Sequence, residues 1–200
     1  MSTLSTTNLK NPSSGSNNIV LGTDGSTTIT TLSATTITGT SVRGGITSGT
    51  AVASTSGVAI DFTGIPSWAK RVTVMFNGVS TNGSSVVLVQ IGATTFTTTG
   101  YLGSGASALH NNAPAIVNFT TGFGVGADSQ ATFVRQGSIQ LTAFGSNTWV
   151  CNGYMSQSDI GRNQCVAGSV TLSGTLDRVR ITTVNGTDTF DAGSINILYE

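Results

Sequence analysis

From Val58 onward, apolar and polar positions alternate in short runs separated by turn residues. Val58–Phe62, Arg71–Phe76, Ala115–Phe119, Ser138–Phe144, Thr148–Asn152, Gln164–Leu172, Arg178–Val184 and Ser194–Tyr199 each carry a β-branched or period-two pattern, which predicts strands with one face buried. Val86–Ile91 is a continuous apolar run and predicts a central strand. Asn77-Gly78, Asn82-Gly83, Asn152-Gly153 and Asn185-Gly186 each offer the two positive-φ positions of a tight hairpin turn, and mark turns. Residues 100–113 lack a strand pattern and predict an exposed loop. Strands at this spacing define an all-β fold, an antiparallel β-sandwich of jelly-roll-like kind, preceded by an extended, Thr-rich N-terminal arm.

The arm has a different pattern. Residues 1–50 contain no Phe, Tyr or Trp, and Leu9, Ile19, Leu21, Ile29, Leu32 and Ile37 stand isolated among Ser, Thr, Gly and Asn. The string TTIT occurs at 27–30 and again at 35–38. Fifty residues with so few apolar side chains cannot offset their chain entropy alone. The arm is therefore expected to order against copies of itself or a larger partner, with those six residues as the anchoring side chains. Three chains wound together would bury them along one axis. The chain divides into residues 1–50, an anchoring and trimerising arm, and residues 51–200, the sandwich.

Composition narrows the function. Charged residues are 8% of the chain and eight Lys and Arg balance eight Asp and Glu, so no basic surface exists to neutralise phosphates and no nucleic-acid partner is expected. No 18-residue apolar run predicts a membrane-spanning helix, and MSTLSTTNLK has no apolar signal core. With 34 Thr, 25 Ser, 26 Gly and a single Glu, Glu200, helices are disfavoured. A chain with zero net charge tends to associate, and its surface is expected to be covered in an assembly.

Candidate chemistry is sparse. His110 is the only His, which excludes a two-His metal site within one chain. The Asp residues show no spacing that favours acid–base work over turn capping, and no nucleophile or phosphate motif stands out, so no catalytic residue, metal or cofactor is expected. Cys151 and Cys165 sit in apolar surroundings and read as small buried hydrophobes, with pairing left open. Tyr101, His110, Asn111, Asn112 and Tyr154 are the residue types that stack on and hydrogen-bond to sugars, whereas Trp149 reads as core. Asp177, Arg178, Arg180, Asp188 and Asp191 gather five of the sixteen charges within fifteen residues and are candidates for ion pairs across a subunit interface.

The C-terminal segment from Asp177-Arg-Val-Arg-Ile-Thr-Thr-Val-Asn-Gly to Ser194-Ile-Asn-Ile-Leu-Tyr-Glu200 resembles the end of bacteriophage tail fibre and virion surface proteins. Asp61-Phe-Thr-Gly-Ile-Pro-Ser-Trp-Ala-Lys-Arg-Val-Thr-Val-Met-Phe-Asn-Gly-Val79 is similar to the opening of the same domain. Leu9-Lys-Asn-Pro-Ser-Ser-Gly-Ser-Asn-Asn-Ile-Val-Leu-Gly-Thr-Asp-Gly-Ser26 resembles the heads of phage structural proteins. The resemblance implies a non-enzymatic homotrimer on the virion surface, assembled in the host cytoplasm. Its residues 1–50 would dock on tail, portal or capsid proteins, and its sandwich would face a host glycan. The short chain leaves room for a short tail fibre, a head fibre or a capsid decoration protein. A glycan depolymerase is the remote alternative.

Overall fold

The computed structural model describes residues 46–109, 113–157 and 159–200, with Asn8–Leu9, Ser13, Ile19–Leu21, Thr23 and Thr27–Ile29 of the N-terminal part. The chain divides into two compact units, Met1–Arg43 and Gly44–Glu200. In the first, β1 (Asn8–Leu9), β2 (Ile19–Leu21) and β3 (Thr27–Ile29) form a small antiparallel sheet. Its register sets Leu9 opposite Ile19 and Ile19 opposite Ile29, so three of the expected anchoring residues occupy one row. Leu21 stands opposite Thr27, and Leu32 and Ile37 lie outside the described residues.

The second unit is built from β4 (Thr47–Ser48), β5 (Val52–Ala53), β6 (Ile60–Thr63), β7 (Arg71–Thr81), β8 (Val87–Ala93), β9 (Thr95–Phe96), β10 (Leu102–Leu109), β11 (Ala115–Phe119), β12 (Phe123–Gly124), β13 (Arg135–Gly145), β14 (Thr148–Gln157), β15 (Arg162–Thr171), β16 (Arg178–Thr183) and β17 (Phe190–Tyr199). They form two antiparallel sheets. The larger runs β11-β10-β15-β14-β13-β7-β17-β4, with β5 also on β17. The smaller runs β12-β8-β16-β6, with β9 on β8.

Period-two patterning builds the sandwich. In β14, Trp149, Cys151 and Met155 are buried while Val150, Asn152, Tyr154 and Ser156 are exposed. Val72, Val74, Phe76, Ile139, Leu141, Ile195 and Ile197 of the large sheet meet Ile60, Phe62, Val89, Ile91, Val179 and Ile181 of the small one in a single core. From β6 to β8, and again from β15 to β17, consecutive strands alternate between the sheets, which is the jelly-roll-like feature. The meander β13–β14–β15 within the large sheet is added to it.

Three local expectations are corrected. Residues 100–113 are largely strand β10, not an exposed loop. The strand carries small residues because its neighbours press close: a Cβ on Gly105 would fall 2.6 Å from the Gly124 carbonyl oxygen, and one on Gly103 2.9 Å from that of Ala167. Asn77-Gly78 and Asn152-Gly153 lie within β7 and β14 instead of turning the chain. At Gly78 the positive φ serves an irregularity against β17, where the pairing register also shifts. The tight β13–β14 turn is made by Ser146 and Asn147, both at positive φ, as a two-residue hairpin requires.

Candidate interaction surfaces

The outer face of the large sheet is its most distinctive surface. Cross-strand register aligns Asn196, Met75, Ser138, Tyr154, Cys165, Ala106 and Ile116 in one row, and Leu198, Thr73, Gln140, Asn152, Ala167, Ser104 and Asn118 in the next. Neither row contains a charge. Arg71 and Glu200 form an ion pair at one corner. Tyr154 (74% exposed), Leu102 (74%), Ile116 (70%) and Val150 project from the sheet, and Phe144 (79%) stands at the β13–β14 corner. The face therefore combines amide and hydroxyl groups with large uncovered apolar side chains.

The residues expected to contact sugar separate. Tyr154 is exposed at the centre of this face. Tyr101 corrects its expectation, because it is buried and T-stacked on Phe123 at 4.9 Å. Its hydroxyl accepts a hydrogen bond from the Ile91 N–H (2.8 Å) and lies 3.1 Å from the Thr97 carbonyl oxygen, to which it donates. Burial pushes this phenol well above its ordinary pKa. His110, Asn111 and Asn112 lie outside the described residues. Trp149 is in the core as expected.

Both cysteines are free. Cys151 points into the core and burial pushes its thiol pKa up, whereas the half-buried Cys165 belongs to the outer row beside Tyr154. Opposite faces of one sheet cannot be bridged by a disulfide without moving backbone.

The clustered C-terminal charges find partners within the chain. Arg180 donates to both oxygens of Asp61 at 2.7 Å, and Arg178 donates to Asp177 at 2.7 and 3.1 Å. Phe96 stacks under both guanidiniums, 4.1 Å from that of Arg180 and 5.6 Å from that of Arg178. The Arg178 hydrogen bond, helped by the Thr94 N–H, holds the Asp177 carboxyl below its ordinary range. Asp188 accepts from Ser85 N–H (2.9 Å) and Asn185 Nδ2 (2.6 Å), tying two loops together. Asp191 accepts from the Ser80 hydroxyl.

Beside the Asp61–Arg180 pair, the outer face of the small sheet holds a groove of about 400 Å³. The buried Leu88 lies among its lining, with Val58 and Val184, and Gln90, Thr121, Thr182, Asn185 and Arg180 supply polar groups. Gln90 Nε2 is fixed on the Thr121 carbonyl (2.7 Å) and the Thr182 hydroxyl on that of Val58 (2.8 Å). An apolar base within a rim of fixed hydroxyl and amide groups suits a small uncharged polyol. Sequence reasoning missed this groove because its lining comes from five separate stretches of chain.

It also missed Arg135, which is fully buried. Its guanidinium donates to Ser129 Oγ and more weakly to the Phe133 carbonyl, and burial lowers its pKa to about 10 against the opposing pull of Asp128 and Asp159. Gln164 donates to the Asp128 carbonyl at 3.0 Å, so this cluster fastens residues 127–133 to the inner side of the large sheet. Among the described residues no group of three His, Cys, Asp or Glu side chains gathers to hold a metal.

No family model, curated protein or solved structure matches the chain.

Proposed function

We propose that the chain is a non-enzymatic surface protein of a bacteriophage particle. It is a homotrimeric short tail fibre or head fibre, docked through its N-terminal arm and presenting the sandwich to an uncharged host glycan. The observation that carries this reading is the outer face of the large sheet, two rows of which hold no charge, with Phe144, Val150, Tyr154, Leu102 and Ile116 uncovered in one chain. Apolar surface of that extent marks an interaction site. The sequence resemblance supports the virion assignment, and the small-sheet groove supports a sugar ligand. Weak contacts by each copy, multiplied over a particle, give firm attachment through avidity.

Light scattering on the purified chain tests the assembly: a mass of about 60 kDa, three times the 20.2 kDa chain, is expected, and 20 kDa overturns the fibre. Pull-down on host cells and on purified capsids then separates attachment from capsid decoration. Retention on capsids alone assigns the decoration role.

A further inference from the structure

We infer that Asn82 is a modification site, at which the folded chain converts its own side-chain amide to a carboxylate. Four Asn-Gly pairs occur in the sequence, at 77–78, 82–83, 152–153 and 185–186. In such a pair the glycine has no side chain to hinder attack of its backbone nitrogen on the preceding carboxamide. The reaction needs that nitrogen unengaged and the Asn side chain able to turn onto it. The four pairs are alike in sequence, and the fold makes them unlike.

Three pairs are restrained. Asn152-Gly153 lies inside β14, paired to β13 on one side and β15 on the other. A Cβ on Gly153 would fall 2.7 Å from the Ser138 carbonyl oxygen, so this backbone has no room to rotate. Asn77-Gly78 lies in β7, and the Gly78 N–H donates to Gln136 Oε1 at 3.0 Å. Asn185-Gly186 sits in an exposed turn that locks it. The Gly186 N–H donates to the Thr183 carbonyl at 3.0 Å. Asn185 Oδ1 accepts from the Thr183 hydroxyl (2.8 Å), the Thr187 N–H (3.0 Å) and the Asp188 N–H (3.2 Å), and Asn185 Nδ2 donates to Asp188 (2.6 Å).

Asn82-Gly83 stands in the bend between β7 and β8, with Asn82 exposed. Asn82 Oδ1 accepts a single hydrogen bond, from the Thr189 N–H at 2.8 Å. Asn82 Nδ2 and the Gly83 N–H have no partner among the described residues. Glycine is required here for a separate reason. A Cβ would fall 2.1 Å from an Asp188 carboxylate oxygen, and that carboxylate is itself held by Ser85 and Asn185. The labile pair therefore comes with the bend.

The Gly83 nitrogen attacks the Asn82 Cγ and passes its proton through solvent to the leaving amino group. The carboxamide C–N bond breaks, ammonia departs and a succinimide closes. Water opens the ring at either carbonyl, giving aspartate or isoaspartate. One water is consumed, one ammonia is released, and nothing is oxidised or reduced. Each event adds a negative charge to a chain whose formal net charge is zero. The isoaspartyl product also lengthens the main chain by one methylene, next to the Asn82 N–H bond to the Thr189 carbonyl (2.9 Å) that ties this bend to the β16–β17 loop.

Peptide mapping of the full chain aged in mildly alkaline buffer tests it. Trypsin places Asn77 and Asn82 on the peptide 72–135, Asn152 on 136–162 and Asn185 on 181–200, and fragment ions separate Asn77 from Asn82. In urea, where the fold is lost, all four pairs are expected to gain the mass of an amide exchanged for a carboxylate. In the folded chain the gain is expected at Asn82 at least about tenfold faster than at the other three, since each further hydrogen bond broken on the way to the transition state slows the step several-fold. Equal or faster gain at Asn77, Asn152 or Asn185 overturns the assignment. So does an Asn82 that stays intact in the folded chain over the time in which the unfolded chain reacts. Asn82→Ser keeps a hydroxyl for the Thr189 N–H and cannot cyclise with loss of ammonia. The aged variant is expected to lack the acidic species that anion exchange resolves from the aged wild type, and persistence of that species also overturns the site.

Discussion

Tyr101 illustrates how much one polar atom contributes in this core. Its hydroxyl accepts a hydrogen bond from the buried Ile91 N–H. Tyr101→Phe keeps the ring on Phe123 and strands that donor, at a cost of about 1–3 kcal/mol. Urea unfolding at fixed chain concentration should register that loss, and an unchanged midpoint would deny the bond its role. The two thiols differ just as sharply. A thiol reagent should modify Cys165 in the dissociated native chain and reach Cys151 only on unfolding, since burial disfavours the Cys151 thiolate. Asp177 titrates in a predictable direction: its pKa is depressed in the fold, so its contribution is present above the ordinary carboxylate value of about 3.9 and lost as pH falls through its lower folded value. Asp177→Asn should flatten the acid limb of a stability–pH profile, with a small effect because the pair is solvent-screened.

At the scale of elements, the sequence was most readable where side chains alternate in size and least where they are small. β7, β13, β14, β16 and β17 announce themselves through Val, Ile, Phe and Trp every second residue. β10 does not, because its strand pattern is written in Gly, Ser and Ala that let other backbone pass close by. Gly105→Ala should therefore cost more than its loss of chain flexibility recovers. The added Cβ meets the backbone carbonyls of Gly124 and Gly126, which cannot swing aside, and a destabilisation of at least about 1–3 kcal/mol in chemical denaturation is expected. Asn77-Gly78 misleads for a related reason. Positive φ is needed wherever a strand bulges as well as where it turns, and only register across β7 and β17 tells the two apart. The candidate faces were legible only in part: Tyr154 could be named from its type, but the charge-free rows around it emerge from strand order, and the groove from five stretches meeting.

At the scale of the whole molecule, the division of the chain decides how the assembly is tested. Placing the start of the sandwich at residue 51 follows the change in composition, whereas the compact unit begins at Gly44. The difference is physical: β4 and β5 line the last strand, Gly49 N–H donates to the Ile197 carbonyl at 2.8 Å, and the Ser54 hydroxyl donates to that of Ala192 at 2.8 Å. These residues are bland in sequence because they supply backbone hydrogen bonds to an edge and little apolar surface. A chain of residues 44–200 should unfold at the midpoint of the full-length sandwich. One beginning at Ala51 loses β4 and the Gly49 bond, two or three hydrogen bonds at about 1 kcal/mol each, and should be less stable by about 2 kcal/mol. Because the exposed apolar side chains of the large sheet remain in both, assembly through that face predicts a mass near three chains for residues 44–200 without the N-terminal unit. A monomer at that length, from a full chain that is trimeric, would move the assembling contacts into residues 1–43 and leave the sandwich faces for partners of another kind.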